Sequence, residues 1–138
     1  MGVGRFDSLL LLSFGGPEGP EDVLPFLRNV TSGRGVPDHR LAVVAEQYAR
    51  FGGKSPINDL NRQLLASIEQ ELAVRGHNLP AFWGNRNWHP FVSETLNALQ
   101  SEGCRSTVCL VTSAFSSYSG CRQYHEDIDQ ARAQISDP

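Results

Sequence analysis

The chain has 138 residues, 40% of them hydrophobic and 20% charged, with a formal net charge of -3. That length suits one domain with a sizeable core. The mild acidity argues against a nucleic-acid partner, which needs a surplus of Lys and Arg to meet phosphates. No apolar run approaches membrane-spanning length, and the first one, Leu9 to Leu12, is cut off by Gly15-Gly16-Pro17. With Asp7 beside it and no small-residue cleavage site, that run does not read as a signal peptide, and a cytoplasmic protein is expected.

The elements read β-α-α-α-β-α-β-α. Ser8 to Ser13 is a continuous apolar run, as expected of a strand covered on both faces. Pro20-Glu21-Asp22 opens a helix that runs to about Asn29, with Pro early and acids in the first turn. Thr31 to Pro37 is a loop on its Gly and Pro content. Leu41, Val44, Ala45 and Tyr48 form a helical stripe ended by Gly52-Gly53. A longer helix follows Ser55-Pro56, with Leu60, Leu64, Leu65, Ile68 and Leu72 predicted to be buried and Gly76 closing it. Ala81 to Gly84 is a short second strand. Val92, Thr95, Leu96 and Leu99 mark the next helix. Arg105 to Ala114 is a third strand with Val108, Leu110 and Val111 as its core, and a last helix carries Cys121, Tyr124, Ile128 and Ala131. Strands separated by helices imply right-handed crossovers and a doubly wound, mainly parallel α/β sheet. Three strands make a thin sheet, so residues 1–138 read as the N-terminal domain of a larger, two-domain α/β protein. The alternative is a half-size unit that dimerises.

Cys104, Cys109 and Cys121 are odd in number and form no C-x-x-C pair, so neither a disulfide framework nor a zinc site is expected, and Cys109 reads as a buried reduced thiol. Function is expected in the loops that follow the strands, because ligands of open α/β sheets bind outside the carboxyl ends of the strands. These loops are Ser13 to Pro17, Gly84 to Phe91 and Ser116 to Gly120. The first is not a nucleotide loop: it lacks G-x-G-x-x-G spacing and a G-K-[ST] ending, and Glu18, Glu21 and Asp22 put negative charge where a pyrophosphate would sit. Phe14 can present a ring to a flat apolar ligand or pack in the core. Ser55 can cap a helix and donate to a ligand. His89 reads equally as a structural residue and a ligand-facing one, and Tyr124, on the apolar stripe of its helix, reads as a core phenol. Tyr118 lies in the third loop. Arg34, Arg86 and Arg122 are available for carboxylates. No Ser-His-Asp set, Cys-His set or carboxylate pair stands out. The residues describe a crevice with aromatic and hydroxyl walls that suits a large flat acid.

The segments Leu12 to Glu18, Tyr48 to Ile57, Gly84 to Phe91 and the Ser-rich stretch at 113–124 resemble, in order and spacing, those of ferrochelatases, in particular the actinobacterial type that acts on coproporphyrin III. The resemblance runs over nearly the whole chain. It implies a lyase that inserts ferrous iron, as substrate, into coproporphyrin III or, less in keeping with the type, protoporphyrin IX. Ser55 and Tyr124 match porphyrin-binding positions of bacterial members, and Phe14, Tyr118 and Arg86 complete the expected substrate-binding set. Phe14 falls where some members place a Tyr that reaches the metal; Phe has no oxygen to donate. The metal-handling His and Glu of the family lie in its second half, so no catalytic or metal residue is expected here and the chain alone is expected to be inactive. Some actinobacterial members carry an iron–sulfur cluster on cysteines near the C-terminus, a region this chain does not include. The competing readings are a half-length homodimeric chelatase and a non-catalytic tetrapyrrole-binding module.

Overall fold

A computed structural model describes residues 5–113 and 118–135, the side chains of 118–121 excepted. The elements are β1 (Ser8–Ser13), α1 (Pro20–Val30), α2 (Asp38–Ala49), α3 (Ile57–Val74), β2 (Ala81–Asn85), α4 (Val92–Ser101), β3 (Thr107–Val111) and α5 (Tyr118–Ala133), in the order expected. The three strands form one parallel sheet in the order β2-β1-β3. β1 is buried along its whole length, because its apolar run is paired on both edges and covered on both faces.

Residue parity sorts the layers. Leu10 and Leu12 pack with Val92, Leu96 and Leu99 of α4 and with Tyr124 and Ala131 of α5. Ser13, on the opposite face with Leu9 and Leu11, is bonded by Asn61 of α3. Helices therefore cover both faces, as a doubly wound sheet requires. Leu10, Leu11 and Leu12 are almost fully buried, each contributing roughly 1.5–3 kcal/mol relative to exposure. A second cluster joins Val23, Phe26 and Leu27 of α1 to Leu41 of α2, with Tyr48, Ala45 and Trp88 against it. The chain leaves β1 to one side for β2 and then crosses to the other side for β3. The direction thus reverses between β1 and β3, and the carboxyl ends there are where a crevice forms.

Three expectations are corrected. On α3, Leu60 and Leu64 are 58% and 41% exposed, and Asn58 and Asn61 are buried instead. The inward stripe is 58, 61, 65, 68 and 72, whose first turn faces polar strand ends. On β3, which ends at Val111, Leu110 is exposed because α3 lies over β2 and no described helix covers that face of the edge strand. Cys109 is also exposed: it faces a cavity of about 590 Å³ between β3, α4 and α5. On α2, Val44 lies at the open margin of its stripe while Leu41 is buried.

The loops are tied by charge and by close approach. Glu18, after β1, accepts from Arg62 at 2.6 Å and from Asn58 at 3.1 Å, and Asp59 bridges Arg62 and Lys54, each at 2.8 Å. The hydrogen bond from Arg62 holds the Glu18 carboxyl below the usual range, and that from Lys54 does the same for Asp59. Asp7 is also lowered, chiefly by the backbone N–H of Arg105, 2.7 Å away. Gly53 has φ +72°, and a Cβ there would lie 2.5 Å from the Pro20 Cα.

Gly53→Ala is expected to cost roughly 2–4 kcal/mol in urea unfolding, since backbone strain and collision combine. Gly76→Ala, at φ +78° with open space around it, is expected to cost only about 1 kcal/mol. Equal losses would mean that the Gly53–Pro20 approach does not constrain the fold. The lowered carboxylates contribute stability that is present above their unfolded pKa and lost as pH falls through the folded value. Denaturation midpoints should therefore hold from neutral pH to about 5 and drop below it. Glu18→Gln should lessen that drop while costing under about 1 kcal/mol at pH 7, because the pair is half exposed.

Candidate functional site

The site is built at the carboxyl end of β1. Gly15 has φ +81°, and a Cβ on it would come within 2.9 Å of Asn85 and 3.2 Å of Trp88. A Cβ on Gly16 would lie 2.7 Å from Ile57 and 2.9 Å from Ser55. The first loop can thus lie against both the second loop and the Ser55 loop only because it lacks side chains at 15 and 16. Backbone bonds fasten the contacts: Arg86 N–H to Ser13 O at 2.9 Å, Asn87 N–H to Phe14 O at 3.0 Å, and Ser55 N–H to Pro17 O at 2.9 Å. Asn58 adds Nδ2–H to Gly16 O at 2.8 Å. Of the three loops expected to converge, two do so; residues 114–117 of the third lie outside the described residues. Its approach is visible, because Thr112, just past β3, donates to Ser13 Oγ at 3.2 Å.

Phe14 is 37% exposed. One edge of its ring meets Phe26 at 6.1 Å in a T-shaped contact, and Phe26 in turn meets Tyr48 and Trp88. The ring is therefore braced from behind and open in front. Ser55 is half-buried; its Oγ accepts a long bond of 3.4 Å from the Ile57 N–H. That leaves the hydroxyl proton free to donate outward. Phe14 precedes the Gly15-Gly16 turn, and Gly16 in turn abuts Ser55.

The second loop is held from inside. Asn85 is fully buried: its Oδ1 accepts from Trp83 Nε1 at 3.0 Å and its N–H donates to Pro90 O at 2.7 Å. The His89–Pro90 bond is cis. His89 is neither buried nor free. Its Nδ1 lies 3.1 Å from both oxygens of Glu94. Glu94 also accepts the Phe91 N–H at 2.6 Å, capping α4.

Arg86 does not stand ready for a ligand. Its Nη1 donates to Gln123 Oε1 at 2.7 Å, its Nε lies 3.1 Å from Asp127 Oδ2, and its guanidinium sits 6.0 Å over the Tyr124 ring. Tyr124 is 8% exposed on the α4–α5 side of the sheet. Burial pushes its phenol pKa up, with Arg86 pulling it down and Asp127 adding to the rise. Burial likewise raises the Asp127 carboxyl, against the pull of Arg86. Arg122 pairs with Glu126 at 2.9 Å, so of the three arginines expected to be available only the exposed Arg34 keeps an uncommitted side chain. The side chain of Tyr118 lies outside the described residues.

The predicted set thus divides: Phe14 lies on the first loop and Ser55 on the loop that Gly16 abuts, while Arg86 and Tyr124 stack together around α5. Reading the sequence missed Asp127 and Gln123. Asp127 lies three residues after Tyr124 on one helix face, a spacing that marks it as a neighbour. It missed also the buried Asn58, Asn61 and Asn85, for which only their i, i+3 and strand-end positions give a signal. No group of three His, Cys, Asp or Glu side chains among the described residues could hold a metal ion. The first loop thus presents an apolar ring and abuts a hydroxyl-bearing loop at the carboxyl end of β1.

Comparison with known proteins gives the family. A family model described as Ferrochelatase matches residues 7–138. A coproporphyrin III ferrochelatase of Mycolicibacterium smegmatis is 59% identical over 128 residues, which cover 93% of this chain and 38% of that protein. Those of Frankia alni and Nocardia farcinica are 58% and 57% identical, covering 96% and 94% of this chain but 33% and 37% of theirs. The chain spans little more than a third of the length of these relatives. The match runs from Asp7 through every loop that builds the wall, and on that extent the chain belongs to the ferrochelatase family.

Proposed function

We propose that this chain forms one wall of the porphyrin cleft of an enzyme that inserts ferrous iron into coproporphyrin III during haem synthesis. The observation that carries the reading is the braced, partly exposed Phe14 at the carboxyl end of the central strand, on a loop that abuts Ser55 through Gly16. Family membership and relatives named coproporphyrin III ferrochelatase support the substrate. No described helix is long and apolar enough to cross a membrane, and a cytoplasmic location is part of the proposal.

Insertion of a divalent metal requires loss of two pyrrole protons and bending of the macrocycle so that nitrogen lone pairs turn toward the metal. Gripping the ring and removing its protons are separate tasks. Phe14 offers a flat apolar face to the macrocycle and Ser55 a donor at its edge. Tyr118, where α5 begins, and Tyr124, further along it, extend that surface, and Arg86 acts through its hold on Tyr124. The base and the metal-delivering groups belong to the part of the relatives' length that this chain does not span. Cys104 precedes β3 and Cys109 lies within it, and the three cysteines of this chain do not make the four-thiolate set of an iron–sulfur cluster.

Anaerobic absorbance titration of the chain with coproporphyrin III, then ferrous iron, is expected to shift the porphyrin band without metalation. Iron insertion by the chain alone would overturn the division of tasks; no band shift would overturn the wall. In the full-length protein, Phe14→Ala is expected to weaken porphyrin binding roughly tenfold. Ser55→Ala should weaken it by about three- to tenfold through loss of one donor. Unchanged affinity in both variants would place the porphyrin elsewhere.

A further inference from the structure

The strongest unassigned feature is Asp127. It is half-buried on α5 and lines a cavity of about 160 Å³ of mixed polar and apolar lining, with Asn85, Arg86, Phe91, Val92 and Gln130 among its neighbours. Its Oδ2 is shielded from solvent and lies 3.1 Å from Arg86 Nε, yet no hydrogen bond reaches it, so the N–H is not aimed at it. The pairing is one of charge, while Gln123 takes the directed bond from Nη1. Between them the two α5 residues hold the guanidinium over the face of Tyr124. The second loop is thereby joined to α5 at the residue proposed to touch the porphyrin.

We infer that Asp127 is a positioning residue: by holding Arg86 against Tyr124 it sets the Tyr124 ring for the porphyrin, an inference that rests on the proposed wall. A carboxylate kept for stability alone would be expected to hold a lowered pKa and aligned bonds. Asp127 has neither, since burial raises it. A group raised in the folded state disfavours folding once ionised, and that penalty fades as pH falls toward its folded pKa. The charged and titratable groups facing it are Arg86 from the second loop and Tyr124 and Glu126 from α5; the start of α4 contributes the uncharged Val92 and Ser93.

The test is a double-mutant cycle in the full-length protein, reading coproporphyrin III affinity and melting temperature for Asp127→Asn, Tyr124→Leu and the pair. Asp127→Asn is expected to weaken binding about tenfold without lowering the melting temperature, and to have no further effect once Tyr124 is Leu. Asp127→Glu is expected to stay within about threefold of the parent, because the adjoining cavity can take one methylene. Additive losses, or a melting temperature that falls with the affinity, would overturn the inference and leave Asp127 a packing residue. Wild-type affinity in Tyr124→Leu with weakened binding in Phe14→Ala would also overturn it, while leaving the wall intact.

Discussion

The whole site depends on how closely backbone can approach backbone over the end of β1. Gly15, Gly16 and Gly53 sit where a single Cβ would lie 2.5–2.9 Å from a neighbouring heavy atom. These distances leave no room for any other residue. Because the first loop is thin, the Ser55 loop and the second loop can both reach it. Phe14, carried between them, has no freedom to withdraw into the space that a side chain would otherwise need.

Close approach raises a second difficulty, the disposal of backbone polar groups at the end of a buried strand. Asparagines meet it. Asn58 donates to Gly16 O, Asn61 to Ser13 Oγ, and Asn85 bonds Trp83 and its own loop. Each is short enough to be buried and carries both a donor and an acceptor. The arrangement is not free of cost, since Asn58 Oδ1 is shielded and has no partner among the described residues. Such an orphan costs about 1–3 kcal/mol, which is comparable to what one fully buried Leu of β1 contributes. The strand's apolar run offsets the polar loops at its end.

Much of this was legible from the residues. A run such as Ser8 to Ser13 can only be a doubly covered strand, and the glycines at 15, 16 and 53 announce turns and close contacts. The α3 stripe was less legible for a physical reason. Periodicity counts apolar residues, but the inward face of that helix begins with Asn58 and Asn61 because it meets strand ends rather than strand middles. Counting leucines therefore rotated the helix by about one residue toward Leu60 and Leu64. Arg86 is a different case. Its type suits a carboxylate, and it found one, but on α5; sequence distance conceals that Gln123 and Asp127 lie within reach. The exposure of Leu110 and Cys109 concerns which neighbours an edge strand has, and local pattern carries no record of that.

The stiffness of the wall is also what the proposed chemistry asks for. Bending a bound macrocycle stores roughly 1–5 kcal/mol, supplied by binding energy from the parts of the ring that do not react. A surface can impose that strain only if deforming it costs more than deforming the ligand. Four bonds fasten the loops around Phe14 and Ser55: Arg86 to Ser13, Asn87 to Phe14, Ser55 to Pro17 and Asn58 to Gly16. At about 1 kcal/mol net for each, they match the strain before packing is considered. The glycines add to this, because a side chain at 15, 16 or 53 would collide with its neighbours and push the loops apart. A flexible loop bearing the same Phe and Ser would bind a porphyrin and leave it flat. On the proposed reading, the glycines that fix these loops matter to the grip on the porphyrin as much as Phe14 and Ser55 do.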